Sequence, residues 1–133
     1  MSQRIEGGTV VVAAIAGASA VALGAFGAHA LHEVFDERAL ALWRTAVDYQ
    51  SWHAVALLAG GFLARGRSPS LLRVAVLAFA LGIVLFCGSL YALALGAPRI
   101  LGAVTPLGGV AFIAGWSALG LHGWRTWRAP DPP

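Results

Sequence analysis

The spacing of charged residues constrains this chain more than any other feature. After Glu6, 26 residues pass before the next Asp, Glu, Arg or Lys, at Glu33. The intervals from Asp48 to Arg65, Arg73 to Arg99 and Arg99 to Arg125 hold 16, 25 and 25 uncharged residues. A helix crossing the hydrocarbon core needs about 20 mostly apolar residues. Three intervals reach that length and the Asp48–Arg65 interval falls short. Only 11% of the 133 residues are charged and 59% are hydrophobic, whereas soluble domains carry about 25% charged residues. The expected fold is all-α: an integral membrane four-helix bundle, a single domain over residues 1–133. Its spans fall near 8–31, 45–65, 71–96 and 102–124, with the lipid bilayer as the main partner.

The formal charge of +3 comes from nine Arg and no Lys. They are scattered singly, without the basic stripe and interleaved aromatics of a nucleic-acid module, so no nucleic-acid partner is expected. In a membrane chain such residues set topology. With four spans, Arg4, Arg65, Arg67, Arg73, Arg125 and Arg128 share one side, and Arg38, Arg44 and Arg99 the other. Six against three places both termini in the cytoplasm. The absence of Lys with abundant Ala, Gly and Arg points to a GC-rich bacterial genome. The single Cys87 excludes an internal disulfide.

A competing reading makes the first span a secretory signal, with Arg4, an apolar run and a small-x-small site at Ala28-His29-Ala30. The run exceeds the about 7–15 residues of a signal core, and three more spans follow, so an uncut helix is expected. Residues 32–44, "HEVFDERALALWR", predict a short interfacial helix between the first and second spans, running directly into the second, with Asp36 as N-cap. "RGRSPS" (65–70) reads as a tight polar turn. The fourth helix starts either at Thr105-Pro106, as N-cap and first-turn Pro, or near Pro98 with a kink at Pro106. Trp124 and Trp127 beside Arg125 and Arg128 form an interfacial belt.

The stretch "AVDYQSWHAVALL" (46–58) puts Asp48, Tyr49, Gln50 and His53 where an apolar run should begin. Sixteen residues span about 24 Å of helix against a core about 30 Å thick, so the second span must recruit these polar groups. Tyr49 and Gln50 share a helix face with His53, while Asp48 points about 100° away from Tyr49. Topology brings His29, Ser89, Tyr91 and Thr105 toward the same outer half of the bundle, leaving the inner half to Ala, Val and Leu. Small residues let helices approach closely: Ala20, Gly24 and Ala28 form a row flanked by Gly17 and Gly27, and Gly108, Gly109 and Gly115 act similarly on the fourth helix. Two readings of the polar cluster stand. It is inter-helix hydrogen-bond glue, or a ligand- or proton-handling site, since ionisable groups inside membranes are functional candidates.

Other chemistry finds less support. His29 and His32 at i, i+3 resemble a metal pair, but nothing completes a tetrahedral set. Haem held by His29 and His53 is geometrically conceivable, yet nothing demands it. No metal and no cofactor are expected. Ser89 lacks a base at fixed spacing and no nucleophile elbow is present, so no catalytic residue is assigned. Trp43 and Trp116 read as anchors or packing residues.

"LGAFGAHAL" (23–31), "YQSWHAVALL" (49–58), "LFCGSLYALAL" (85–95), "TPLGG" (105–109) and "AGW" (114–116) together resemble a family of small four-span membrane proteins. It is known as domain of unknown function four-two-three, with eukaryotic members called transmembrane protein two-five-six. The resemblance covers about residues 8–120 and implies four spans in a bacterial cell membrane, with no assigned reaction, substrate or cofactor. Its signature positions map onto Gly24, Gly27, His29, Tyr49, Gln50, His53, Gly88, Ser89, Tyr91, Thr105, Pro106 and Gly109, with an acidic residue expected at Asp48. Cys87 stands where a Ser is common, which argues against an essential hydroxyl there.

The function expected is that of a small non-enzymatic membrane protein binding a partner protein or lipid, or a second copy of itself. The alternative is a small oligomeric, proton-coupled transporter using Asp48 and His53 as its titrating pair.

Overall fold

A computed structural model describes the chain over residues 2–64 and 70–129, with side chains from residue 7 onward. It is helical throughout, with no strand among the described residues: α1 (Ser2–His29), α2 (Glu37–Leu63), α3 (Ser70–Gly82), a π-helical segment (Ile83–Cys87), α4 (Gly88–Ala94), a 3₁₀ turn (Arg99–Ala103) and α5 (Thr105–Trp127). α3, the π segment and α4 follow without a break, so four long rods result. Three stretches are long and apolar enough to cross a bilayer: Gly7–His29, Ser70–Ala94 and Arg99–Trp127. α2 is long enough but is not among them, which matches the short uncharged interval after Asp48.

Local signals set the ends. Asp36 is the N-cap of α2, its carboxylate accepting the Ala39 N–H at 2.7 Å. Residues 30–35 form turns, and the short helix expected between the first two spans has no end of its own. It is the opening of α2. The third rod stops at Gly96, which takes φ +88°. The Ala97 N–H reaches the Ala92 carbonyl at 2.9 Å and the Gly96 N–H reaches Leu93 at 3.1 Å, the paired bonds of a left-handed glycine cap. α5 begins at Thr105 with Pro106 in its first turn, but its N-cap is Val104 and no side chain caps it. Thr105 therefore departs from the capping role expected of it, because Val104 is already helical at φ −79° and ψ −33° and Thr105 lies inside the helix. The polar turn expected at 65–70 lies outside the described residues except for Ser70, which opens α3.

Packing is written in the small residues. α1 and α2 run antiparallel, with Gly61 against Thr9, Gly17 against Ala54, Gly24 against Val47, and Gly27 against the Trp43 ring. The third rod and α5 are antiparallel too: Gly115 faces Phe79, Gly82 faces Phe112, and Gly108 faces the Phe86 backbone. These two hairpins join through α2 and the third rod, with a core of Leu57, Leu72, Ala75, Phe79 and Cys87. The row on α1 differs from the one expected. Ala20 is 1% exposed and Gly27 is buried, but Ala28 faces outward. A strict four-residue repeat drifts about 40° per step around a helix, so the packed face alternates threes and fours through Ala13, Ala16, Ala20, Gly24 and Gly27.

Candidate functional site

The polar residues singled out above are carried by all four rods, but they do not form one site. They divide into three bonded groups and two outliers.

Gln50 is the centre of the first group. Its Nε2 donates to the Ala16 carbonyl at 2.9 Å and to Ser19 Oγ at 2.8 Å, and its Oε1 accepts from the Tyr91 hydroxyl at 3.0 Å. Ser19 passes its own proton to the Ile15 carbonyl at 2.7 Å. One amide thus ties α2 to α1 and α4 with both of its N–H groups and its oxygen used. Tyr91 also packs edge-on against Trp43, ring centroids 4.7 Å apart. The Trp43 N–H reaches the Leu23 carbonyl at 2.9 Å, and Trp43, 4% exposed, is a packing residue.

The second group joins the third rod to α5. Ser89 Oγ donates to the Phe86 carbonyl at 2.9 Å and lies 2.7 Å from Thr105 Oγ1. Ser89 has a single proton, spent on Phe86, so Thr105 is the donor between the hydroxyls. Phe86 belongs to the π segment, where the regular i to i−4 bonding is interrupted, and Ser89 supplies its carbonyl with a bond. The polar contacts of Ser89 are a hydroxyl and a carbonyl, not a general base.

The third group is built on His53. Nδ1 lies 2.7 Å from the Tyr49 carbonyl and Nε2 lies 3.2 Å from Trp116 Nε1. A carbonyl only accepts and an indole N–H only donates, so the partners place the proton on Nδ1 and the lone pair at Nε2. The imidazole lies flat on Phe112, centroids 3.5 Å apart at 14°, and Phe79 and Trp116 close around it. These bonds reach α5, while Gln50 reaches α1 and α4.

His29 and Asp48 stand apart. His29 is exposed at the end of α1. His53 lies level with Gly17, whose neighbour is Ala54, so about 12 residues or 18 Å of helix separate the two histidines along the bundle. α1 ends at His29 and His32 falls in the turn, so their i, i+3 pairing is lost. No three His, Cys, Asp or Glu side chains converge among the described residues. Asp48 is exposed on α2 and has no hydrogen bond or ion pair among the described residues. It points about 140° away from His53 around the helix.

Asp48 is also deep. Because Gly27 faces Trp43, the apolar part of α1 lies opposite the portion of α2 that starts near residue 43. Asp48 is about five residues, or 7 Å, inside that boundary. A charge near mid-membrane costs about 2.5–3.5 kcal/mol on insertion scales and less toward the boundary.

Around Asp48 the outer side of α2 is aromatic. Trp52 is 73% exposed, Tyr49 43% and Trp116 50%. With His53, Val55, Ala56, Ala59 and Leu119 they line an open, apolar groove of about 450 Å³ between α2 and α5. The Tyr49 ring stacks on Phe86 at 4.5 Å, and its hydroxyl has no partner among the described residues. On the other flank of α2, Val10, Gly17, Val21, Ser51, Ala54 and Leu58 line a second groove of about 380 Å³ against α1.

Sequence reasoning did not find Ser19, Phe79, Phe86 or Phe112. Ser19 neighbours the buried Ala20 and lies within reach of any polar group on the opposing helix, which is a usable signal. The π segment leaves no mark in residue type.

A family described as "Protein of unknown function (DUF423)" matches residues 23–109. The chain is 48% identical over 109 residues to the UPF0382 membrane protein YwdK of Bacillus subtilis (strain 168), covering 80% of this chain and 88% of that one. It is 44% identical over 110 residues to the UPF0382 membrane protein SSP2132 of Staphylococcus saprophyticus, covering 83% and 91%. It is 41% identical over 110 residues to the UPF0382 inner membrane protein YgdD of Escherichia coli (strain K12), covering 83% and 84%. No solved structure matches. With apolar helices of spanning length and relatives named as membrane proteins that align with it over 84–91% of their own length, the chain belongs to this membrane protein family, DUF423.

Proposed function

We propose that this protein is a four-span, non-enzymatic binding protein of the bacterial inner membrane, with both termini in the cytoplasm, and that it takes a membrane-embedded partner or lipid on the outer side of α2. One observation carries the reading. Gln50, His53, Ser89 and Thr105 have hydrogen-bonding partners inside the chain, whereas Asp48 is exposed with none among the described residues, and Tyr49, Trp52 and Trp116 expose their rings along an apolar groove. Aromatic residues at a groove supply rigid, amphipathic contact area, as at the energetic centres of protein interfaces. The basic bias of six Arg against three favours the cytoplasmic termini.

The proton-coupled transporter gains less from the geometry. Asp48 and His53 lie on different faces of α2, and both ring nitrogens of His53 are engaged.

A photo-crosslinking amino acid placed at Trp52 or Trp116, and at Val84 or Val110 on other exposed faces, tests the binding reading in native membranes. A defined adduct is expected at the first two positions and bulk lipid at the others. Bulk lipid at all four would reject it.

A further inference from the structure

We propose, resting on the reading that the outer face of α2 is a docking surface, that its occupant is a second copy of this chain. The two α2 helices lie side by side about a two-fold axis along the bilayer normal, with Arg44 of each copy paired to Asp48 of the other.

The argument begins with what Asp48 lacks. It lies inside the apolar zone, points away from the core, and has no partner among the described residues. Lipid cannot answer it there, because headgroup amines sit at the boundary about 7 Å above. A protein side chain that carries a cation to that depth can answer it. This chain already carries one in the right place. Arg44 is exposed on the same stripe, four residues or about 6 Å nearer the boundary, and it too is without a partner among the described residues. A two-fold axis along the normal keeps both copies of α2 at one depth and makes every contact reciprocal. Each Arg44 then needs to reach down one helical turn, a distance its long side chain covers. The face is thus complementary to itself, and an unrelated partner would need a matching Arg at the same depth.

Shape agrees with charge. Asp48, Trp52, Val55 and Ala59 form a ridge along the outside of α2, and a groove runs along each flank, about 450 Å³ beside α5 and 380 Å³ beside α1. A ridge flanked by grooves is the form that helix-on-helix packing requires. α2 is also the long helix that is not apolar enough to cross a bilayer by itself, and a second copy would remove the Asp48 carboxylate from lipid.

Single-cysteine cross-linking in native membranes tests this in the full chain, in a Cys87→Ala background because Cys87 is buried. Val55→Cys reports the proposed axis, and Val84→Cys and Ile113→Cys report exposed faces of the third rod and α5. Oxidation is expected to give a species of twice the mass from Val55→Cys, at least about tenfold more than from the other two, as two inter-helix polar bonds would set. Asp48→Asn is expected to reduce that yield about tenfold, and Arg44→Asp likewise, while Arg44→Asp with Asp48→Arg restores it. Asp48→Asn removes a charge from the apolar zone, so its insertion is not at risk. Equal cross-linking at all three positions, or a yield unchanged by Asp48→Asn, would overturn the proposal. If cross-linking at Val55 fails while photo-crosslinking at Trp52 still yields a defined adduct, the second copy is rejected and the binding face stands.

Discussion

Two adjacent glycines on α5, Gly108 and Gly109, should respond oppositely to the same substitution. A Cβ on Gly108 would run into the amide nitrogen of Phe86 and come within 2.7 Å of its Cα. Ordinary contact begins at 3.4 Å, so α5 must retreat by close to 1 Å. The obstacle is backbone, and no side-chain rotation relieves it. Retreat also stretches the 2.7 Å bond between Thr105 and Ser89 and opens the 3.5 Å stack of Phe112 on His53. Overpacking of this kind costs about 1–3 kcal/mol, and the hydroxyl bond adds about 0.6 kcal/mol. Alanine returns about 1 kcal/mol of helix propensity. With a backbone clash at the upper end of the range, Gly108→Ala should destabilise by about 2 kcal/mol. A Cβ on Gly109 meets Phe86 Cδ2 at 3.9 Å, and Gly109→Ala should be neutral or stabilising by up to about 1 kcal/mol.

The comparison cancels most of what is uncertain about a membrane reference state, because the two sites share a helix, a depth and a residue change. Reversible unfolding in mixed micelles, with the fraction of sodium dodecyl sulfate as denaturant and far-ultraviolet dichroism as readout, gives both values. A separation of about 2–3 kcal/mol is expected, roughly a hundredfold in the equilibrium constant. If Gly108→Ala proves as stable as Gly109→Ala, the third rod and α5 do not approach as closely as described, and the register that joins Ser89 to Thr105 fails with it.

Gln50→Leu keeps the apolar volume but leaves Tyr91 without its acceptor and removes both donors to α1; at about 0.6 kcal/mol each, it should lose about 2 kcal/mol in the same assay, and an unchanged midpoint would show the network to be idle. For His53, nitrogen-15 spectra of protein labelled at histidine should show the proton on Nδ1 and an accepting Nε2, with Trp116→Phe moving only the Nε2 resonance; a proton on Nε2 would contradict the bonds described.

The apolar rods were legible because charge spacing marks them directly, and Asp36 marked the start of α2 through its capping chemistry. Finer placements depended on a partner helix that the chain order does not show. The pairing of Ser89 with Thr105 follows from two helices running in opposite directions, so topology brought them level. Ser19 is not set apart by its residue type, and its role comes only from Gln50 on the opposing helix. Ala28 was misplaced because a four-residue repeat drifts off the line that α2 follows, and Gly27 takes the contact instead, where a Cβ would fall 2.6 Å from the Trp43 ring. Thr105 has the residue type of an N-cap, but Val104 is already helical and takes that position, and the Thr105 hydroxyl bonds across to Ser89.

α2 explains why its own sequence is awkward. Each polar side chain on its inner side bonds across to a neighbour: Trp43 to α1, Gln50 to α1 and α4, and His53 to Trp116 on α5. A helix that must bond to three others cannot also be apolar enough to cross a bilayer unaided, and α2 is not. This accounting leaves a remainder. No buried side-chain nitrogen or oxygen among the described residues lacks a hydrogen bond, so the chain matches its interior polar groups closely. Asp48, on the same helix, has no hydrogen bond or ion pair among the described residues. General looseness does not account for one unpaired carboxylate beside so many satisfied groups. The difference lies in direction: the matched groups face the bundle, and Asp48 faces out, with Arg44 one helical turn away on the same exposed stripe.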